Sequence, residues 1–115
     1  MSSIIYHNPR CSKSRATLAI LEENAANFEI IKYLETPPNK AELTALIKDL
    51  GIEARALMRT GEDEYKAQNL ADENLSEDQL IEAMLATPKL IERPIVRTSK
   101  GVVIGRPPEK VLTIL

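Results

Sequence analysis

The 115-residue chain holds one cysteine and one histidine, four residues apart in His7-Asn8-Pro9-Arg10-Cys11-Ser12-Lys13-Ser14-Arg15. Upstream, Ser3-Ile4-Ile5-Tyr6 is short, apolar and β-branched. Downstream, Ala16-Thr17-Leu18-Ala19-Ile20-Leu21 has the apolar spacing of a helix. Cys11 therefore falls where a strand hands over to a helix. The first N–H groups of that helix, and the positive end of its dipole, face the sulfur. Arg10, Lys13 and Arg15 add three cations, and no acid precedes Glu22. Such surroundings favour the thiolate, which is the nucleophilic form. The competing reading is a buried, inert cysteine, the common fate of a lone Cys. Position and charge favour the reactive thiol.

Two related motifs are excluded. A phosphatase-type loop needs an arginine after five further residues, and that place holds Thr17. A dithiol redox motif needs Cys-x-x-Cys, and here the second position is Ser14. What remains is Cys11-x-x-Ser14, a one-cysteine site on a strand–loop–helix.

The elements that position this site follow in order. Strand one is about Ser3–Tyr6. A helix then runs from after Cys11 to about Asn24, with Leu18, Leu21 and Ala25 on one face. Phe28–Tyr33 reads as a second strand, parallel to the first if the crossover follows the usual rule. Thr36-Pro37-Pro38 breaks the chain. Asn39 with Glu42 predicts a capped helix with Leu43, Leu46, Ile47 and Leu50 as its stripe, ended by Gly51. Ile52–Met58 reads as a short helical piece closing in Arg59-Thr60-Gly61, and Glu62-Asp63-Glu64-Tyr65 as an acidic, solvated stretch. Ser76-x-x-Gln79 opens a further helix to about Ala86, with Leu80, Ile81, Met84 and Leu85 toward the core. Ile95–Thr98 and Val102–Ile104 read as a β-hairpin, with Gly101 suited to a left-handed turn position. Glu109–Ile114 adds a closing helical turn or two.

This order is β-α-β, a helical middle, then β-β-α. It predicts an α/β, thioredoxin-like fold: a small mixed sheet with helices on both faces and a helical insertion at about 39–88 between its halves. One domain spans residues 1–115, since that length supports a core without staples. The fold places a cis-proline facing the cysteine at the start of the hairpin strand, and Pro94 occupies that place.

Composition narrows the functions. Hydrophobic residues make up 43% and charged residues 28%, which fits a globular chain rather than a disordered one. No apolar run approaches a membrane span, and the N-terminus lacks a signal-peptide pattern. A single Cys makes no internal disulfide, which points to the reducing cytoplasm. Net charge is −2, but residues 1–21 carry +3 and residues 93–115 carry +4, leaving −9 between them. Basic ends around an acidic middle argue against a nucleic-acid face. They fit a focused anion site if the two ends meet in space. No metal-ligand cluster is expected.

The blocks Tyr6–Arg15, Tyr33-Leu34-Glu35-Thr36-Pro37-Pro38, Arg55-Ala56-Leu57-Met58-Arg59, Leu90-Ile91-Glu92-Arg93-Pro94-Ile95-Val96 and Gly105-Arg106-Pro107 carry a family likeness. In that order, over essentially the full chain, the sequence resembles the glutaredoxin-coupled arsenate reductases. The resemblance implies a thioredoxin-like fold with a helical insertion. Cys11 matches the nucleophile, Arg59, Arg93 and Arg106 the three arginines that hold the oxyanion, and His7 the histidine that tunes the cysteine. Two departures stand out. Ser12-Lys13 replaces the Gly-Thr of resistance enzymes, and the chain stops at Leu115, short of their C-terminal extension. The likeness is to the short, chromosomally encoded branch.

The implied chemistry is reduction of arsenate to arsenite. Arginine forks suit a tetrahedral oxyanion, and the Cys11 thiolate would form a thiol-arsenate adduct. One cysteine cannot resolve that adduct, so an external thiol is required. The resemblance makes it glutathione, a co-substrate rather than a bound cofactor, followed by glutaredoxin. Ser14, Arg15 and Pro94 support the site. Arg15, one turn past Cys11, contacts either the anion or the loop backbone, and His7 either tunes the thiol or bonds within the loop. A monomer is expected. Two other readings stay open: a monothiol glutaredoxin-like thiol–disulfide oxidoreductase without an oxyanion substrate, and a non-enzymatic regulator on the same fold. The regulators typically have a dithiol motif and a longer chain.

Overall fold

β1 (Ser3–Tyr6) is the strand on which the first half of the molecule is assembled. The computed structural model describes residues 3–24 and 27–115. Among them, four strands form one mixed sheet in the order β2-β1-β3-β4. β1 pairs in parallel with β2 (Phe28–Ile31) and antiparallel with β3 (Ile95–Thr98), which pairs antiparallel with β4 (Gly101–Ile104). The short β-branched runs supply strands, and α1 (Ser12–Asn24) supplies the crossover that parallel strands need.

Two compact units result. The first comprises the chain up to Thr36 with Arg93–Leu115, and the second is Pro37–Glu92. The stretch read as an insertion at 39–88 is thus a packed body of its own. In the first unit, Ile5, Leu21, Val96, Val111 and Ile114 form the core, with Leu18, Ile20, Phe28, Val103 and Leu115 around it. Ile5 and Val96 point to one sheet face because strand side chains alternate. α1 and the C-terminal 3-10 helix (Pro108–Ile114) cover that face. Each such fully buried aliphatic side chain contributes about 1.5–3 kcal/mol. Ala25, expected beside Leu18 and Leu21, lies outside the described residues. Thr98 fastens the C-terminal helix, its hydroxyl donating to the Ile114 carbonyl at 2.6 Å.

The second strand is shorter than its apolar run. β2 ends at Ile31, and Tyr33 is buried in the turn that follows. Gly101 directly follows the hairpin turn as the first residue of β4 and has a positive φ of 153°, which favours the glycine expected there. Both X–Pro bonds of the arginine motifs, Arg93–Pro94 and Arg106–Pro107, are cis. The first was expected.

The second unit contains α2 (Lys40–Leu50), α3 (Ala54–Leu57), α4 (Asp63–Ala67) and α5 (Glu77–Ala86). Both expected capping boxes form, at Asn39/Glu42 and Ser76/Gln79, and Gly51 closes α2 at φ 70°. The α3 start has no cap of its own. Glu77 of α5 accepts its first N–H, from Ala54, at 2.9 Å. The acidic stretch is not simply solvated. Tyr65 is buried, and its hydroxyl accepts from Arg55 at 2.6 Å while that guanidinium also holds the carbonyls of Leu70 and Asp72. No helix among the described residues is long and apolar enough to cross a membrane.

Candidate active site

The loop before α1 is built by Asn8 and Pro9. The Cys11 N–H donates to the Asn8 carbonyl at 3.0 Å, closing a turn with Pro9 at its second position, where a fixed φ is favoured. Asn8 Oδ1 accepts from the Arg10 N–H at 3.0 Å. The Cys11 carbonyl takes the first helical bond, from the Arg15 N–H at 2.9 Å, so Cys11 is the N-cap residue of α1. The first turn of α1, with its free N–H groups, begins directly after Cys11, whose side chain is partly exposed.

Two side chains of the first turn reach back to hold the loop. Ser14, wholly buried, accepts from the Asn8 N–H at 3.0 Å and lies 2.7 Å from His7 Nδ1. Arg15 donates to the Pro9 carbonyl at 3.0 Å, so its contact is with the loop backbone. His7 is buried and bonds within the loop. Burial, then the charges of Lys32 and Arg15, lower its pKa, so the ring is neutral at pH 7. Lys13 is exposed, as is Arg10.

The second part of the first-unit site is the corner where β3 begins and β4 ends. Ile95 pairs with Ile104, and just beyond them the Gly105 N–H donates to the Pro94 carbonyl at 2.9 Å. Arg106 Nη1 donates to the Arg93 carbonyl at 3.1 Å. Arg93 is half-buried and Arg106 exposed. Tyr6 pairs with Ile95, so the same register continued by one residue sets His7 across from Pro94. The two basic ends do meet in one unit. It carries nine Lys and Arg against five Glu, whereas the second unit carries six against twelve acids.

Arg59 belongs to the second unit, where the Met58–Ile91 bridge fixes its backbone and its N–H donates to the Leu90 carbonyl at 2.7 Å. Its guanidinium pairs with Glu62 and, at 3.8 Å, with Glu92. Burial alone would push the Glu62 carboxyl up. The hydrogen bond and charge of Arg59, with Lys89 at 3.5 Å, outweigh it and hold the carboxyl below its usual range. The sequence reading missed Glu62 as a partner of Arg59, although i,i+3 spacing of opposite charges was a signal for it. Thr17 has in the sequence only its place in the helical run and the absence of an arginine there to mark it. Thr17 is fully buried against Gly105.

The sequence profile of the ArsC family matches residues 6–114. This chain belongs to the ArsC family. Within it, the chain is 58% identical to the uncharacterized protein YfgD of Escherichia coli strain K12, over 96% of this chain and 94% of that protein. It is 48% identical to an arsenate reductase of Escherichia coli, covering all of this chain and 82% of that enzyme. Among solved structures, an arsenate reductase from Vibrio cholerae superposes with a TM-score of 0.95 at 55% identity, over 100% of this chain and 98% of that one. The ArsC fold is that of the thioredoxin-like arsenate reductases, as the element order predicts.

Proposed function

We propose that this chain reduces arsenate to arsenite, with Cys11 as nucleophile and Arg59, Arg93 and Arg106 as oxyanion ligands. The observation that carries the reading is the place of the sole cysteine. It caps a helix in the unit where Arg93 and Arg106 share one corner, in a chain 48% identical to a named arsenate reductase. Fixed guanidinium charge offsets the repulsion between a thiolate and an arsenate dianion.

The Cys11 thiolate attacks arsenic, and an arsenate oxygen leaves, after protonation, as water. A glutathione thiolate then attacks the Cys11 sulfur. The S–As bond breaks with its electron pair passing to arsenic, which falls from As(V) to As(III) and leaves as arsenite. Cys11 is left in a mixed disulfide with glutathione, which a glutaredoxin thiolate takes over, returning the Cys11 thiol. The setting is the cytoplasm, where glutathione is held reduced, and the working species is a monomer. His7 and Ser14 hold the loop, and Arg15 ties its backbone to α1.

The test is NADPH consumption coupled through glutathione reductase, glutathione and glutaredoxin. Turnover is expected to need arsenate and to vanish in Cys11→Ser. Should Cys11 reduce glutathione mixed disulfides with no arsenate-dependent turnover, a thiol–disulfide oxidoreductase takes the place of this reading.

A further inference from the structure

Gly105 lies where Thr17 of α1 and Pro94 of the arginine corner come close together. Gly105 has no positive φ, so its backbone does not demand glycine; its surroundings do. A Cβ there would stand 2.6 Å from Thr17 Oγ1, 2.9 Å from Pro94 Cγ and 3.1 Å from Thr17 Cγ2. These neighbours cannot swing aside. Thr17 is fully buried, and its hydroxyl donates to the Lys13 carbonyl at 2.9 Å, with the Gly105 carbonyl at 3.5 Å on its other side. Pro94 is a buried ring fixed to the backbone. Each of the three also adjoins the chemistry. Thr17 lies in the second turn of the helix that Cys11 caps. Pro94 follows Arg93, and Gly105 precedes Arg106.

We infer that the Thr17–Gly105–Pro94 contact is a spacer that sets the distance between the Cys11 end of α1 and the corner carrying Arg93 and Arg106. Gly105 and Thr17 are thus positioning residues for a tetrahedral oxyanion held between the sulfur and the two guanidinium groups. The inference rests on the arsenate chemistry proposed above. Side chains at Gly105 would push the corner away from α1, while the Cys11 loop keeps its own bonds to Ser14 and Arg15. Oxyanion fit suffers and the thiol does not, because a misplacement of about 1 Å in such a site can cost on the order of a hundredfold in rate.

The test compares wild type, Gly105→Ala, Thr17→Val, the double variant Gly105→Ala/Thr17→Ala, and Arg106→Ala. Two readouts are taken: steady-state kinetics in arsenate, and alkylation of Cys11 by iodoacetamide, a neutral reagent that needs no anion site. Gly105→Ala is expected to raise the arsenate KM by roughly tenfold or more, with alkylation at the wild-type rate. The double variant, which removes both Thr17 atoms from the clash, is expected to recover much of that KM. Loss of fold alone would reduce the active fraction without moving KM. If Gly105→Ala does not fold, Thr17→Val carries the test, since it sets a methyl where the hydroxyl faces Gly105; a severalfold rise in KM with unchanged alkylation is expected. If Arg106→Ala raises KM while the folded Gly105 and Thr17 variants match wild type, the spacer is wrong and the arsenate reading stands. If wild type shows no arsenate-dependent turnover, or Arg106→Ala matches wild type, the oxyanion reading falls and takes the spacer with it.

Discussion

His7 Nδ1 and Ser14 Oγ lie 2.7 Å apart beneath the cysteine loop, both buried, seven residues apart in sequence. Ser14 Oγ also accepts the Asn8 N–H, so one hydroxyl joins the end of β1, the loop and the first turn of α1. Ser14→Ala leaves the His7 ring nitrogen and a backbone N–H without this partner. Unmet buried polar groups cost about 1–3 kcal/mol each. The variant is expected to lose about that much stability in urea unfolding, whereas Ser12→Ala, at an exposed site, is expected to lose little.

Burial of neutral His7 makes stability depend on pH. Its folded pKa is lowered, so between that value and the unfolded value of about 6.5 the unfolded chain binds the extra proton. The contribution is complete above about pH 6.5 and is lost as pH falls toward the folded pKa. Thermal midpoints measured from pH 8 to pH 5 are expected to fall more steeply for wild type than for His7→Asn, which has no proton to gain. Parallel profiles would show that His7 does not carry the effect.

Arg59 pairs with Glu62 and is also proposed as an oxyanion ligand, so a single substitution mixes two effects. Arg59→Ala removes the main partner of the partly buried Glu62 and is expected to lower the thermal midpoint as well as activity. Arg59→Ala/Glu62→Gln removes the stranded charge. It is expected to regain midpoint but not arsenate turnover. Recovery of both would remove Arg59 from the oxyanion ligands.

Arg93 and Arg106 are expected to matter far more than Arg97, which stands on β3 within the same basic segment. Alanine at either should raise the arsenate KM and weaken inhibition by sulfate, while Arg97→Ala stays near wild type. Lysine at 93 or 106 is expected to rescue only in part, because it keeps the charge and loses the fork. Equal behaviour of the three alanine variants would move the anion site elsewhere.

Local signals decided much of this protein in advance. Asn39/Glu42, Ser76/Gln79 and Gly51 mark helix ends by hydrogen bonds that span three or four residues, and each appears where its sequence pattern puts it. The strand–Cys11–helix junction is local for the same reason. Residue order along the chain also carries the element sequence from which the mixed sheet was read. Other features depended on contacts between residues distant in sequence, which no short pattern encodes. Tyr33 leaves the β2 run for a buried turn, and Tyr65 is drawn from an acidic stretch by Arg55. Arg106 meets Arg93 only because β3 and β4 pair in one register. Gly105 is glycine because Thr17, eighty-eight residues earlier, fills the space its side chain would need. The sequence names the cysteine and the cations beside it; packing alone sets the distances between them, because burial and steric exclusion act on whichever atoms the fold brings together.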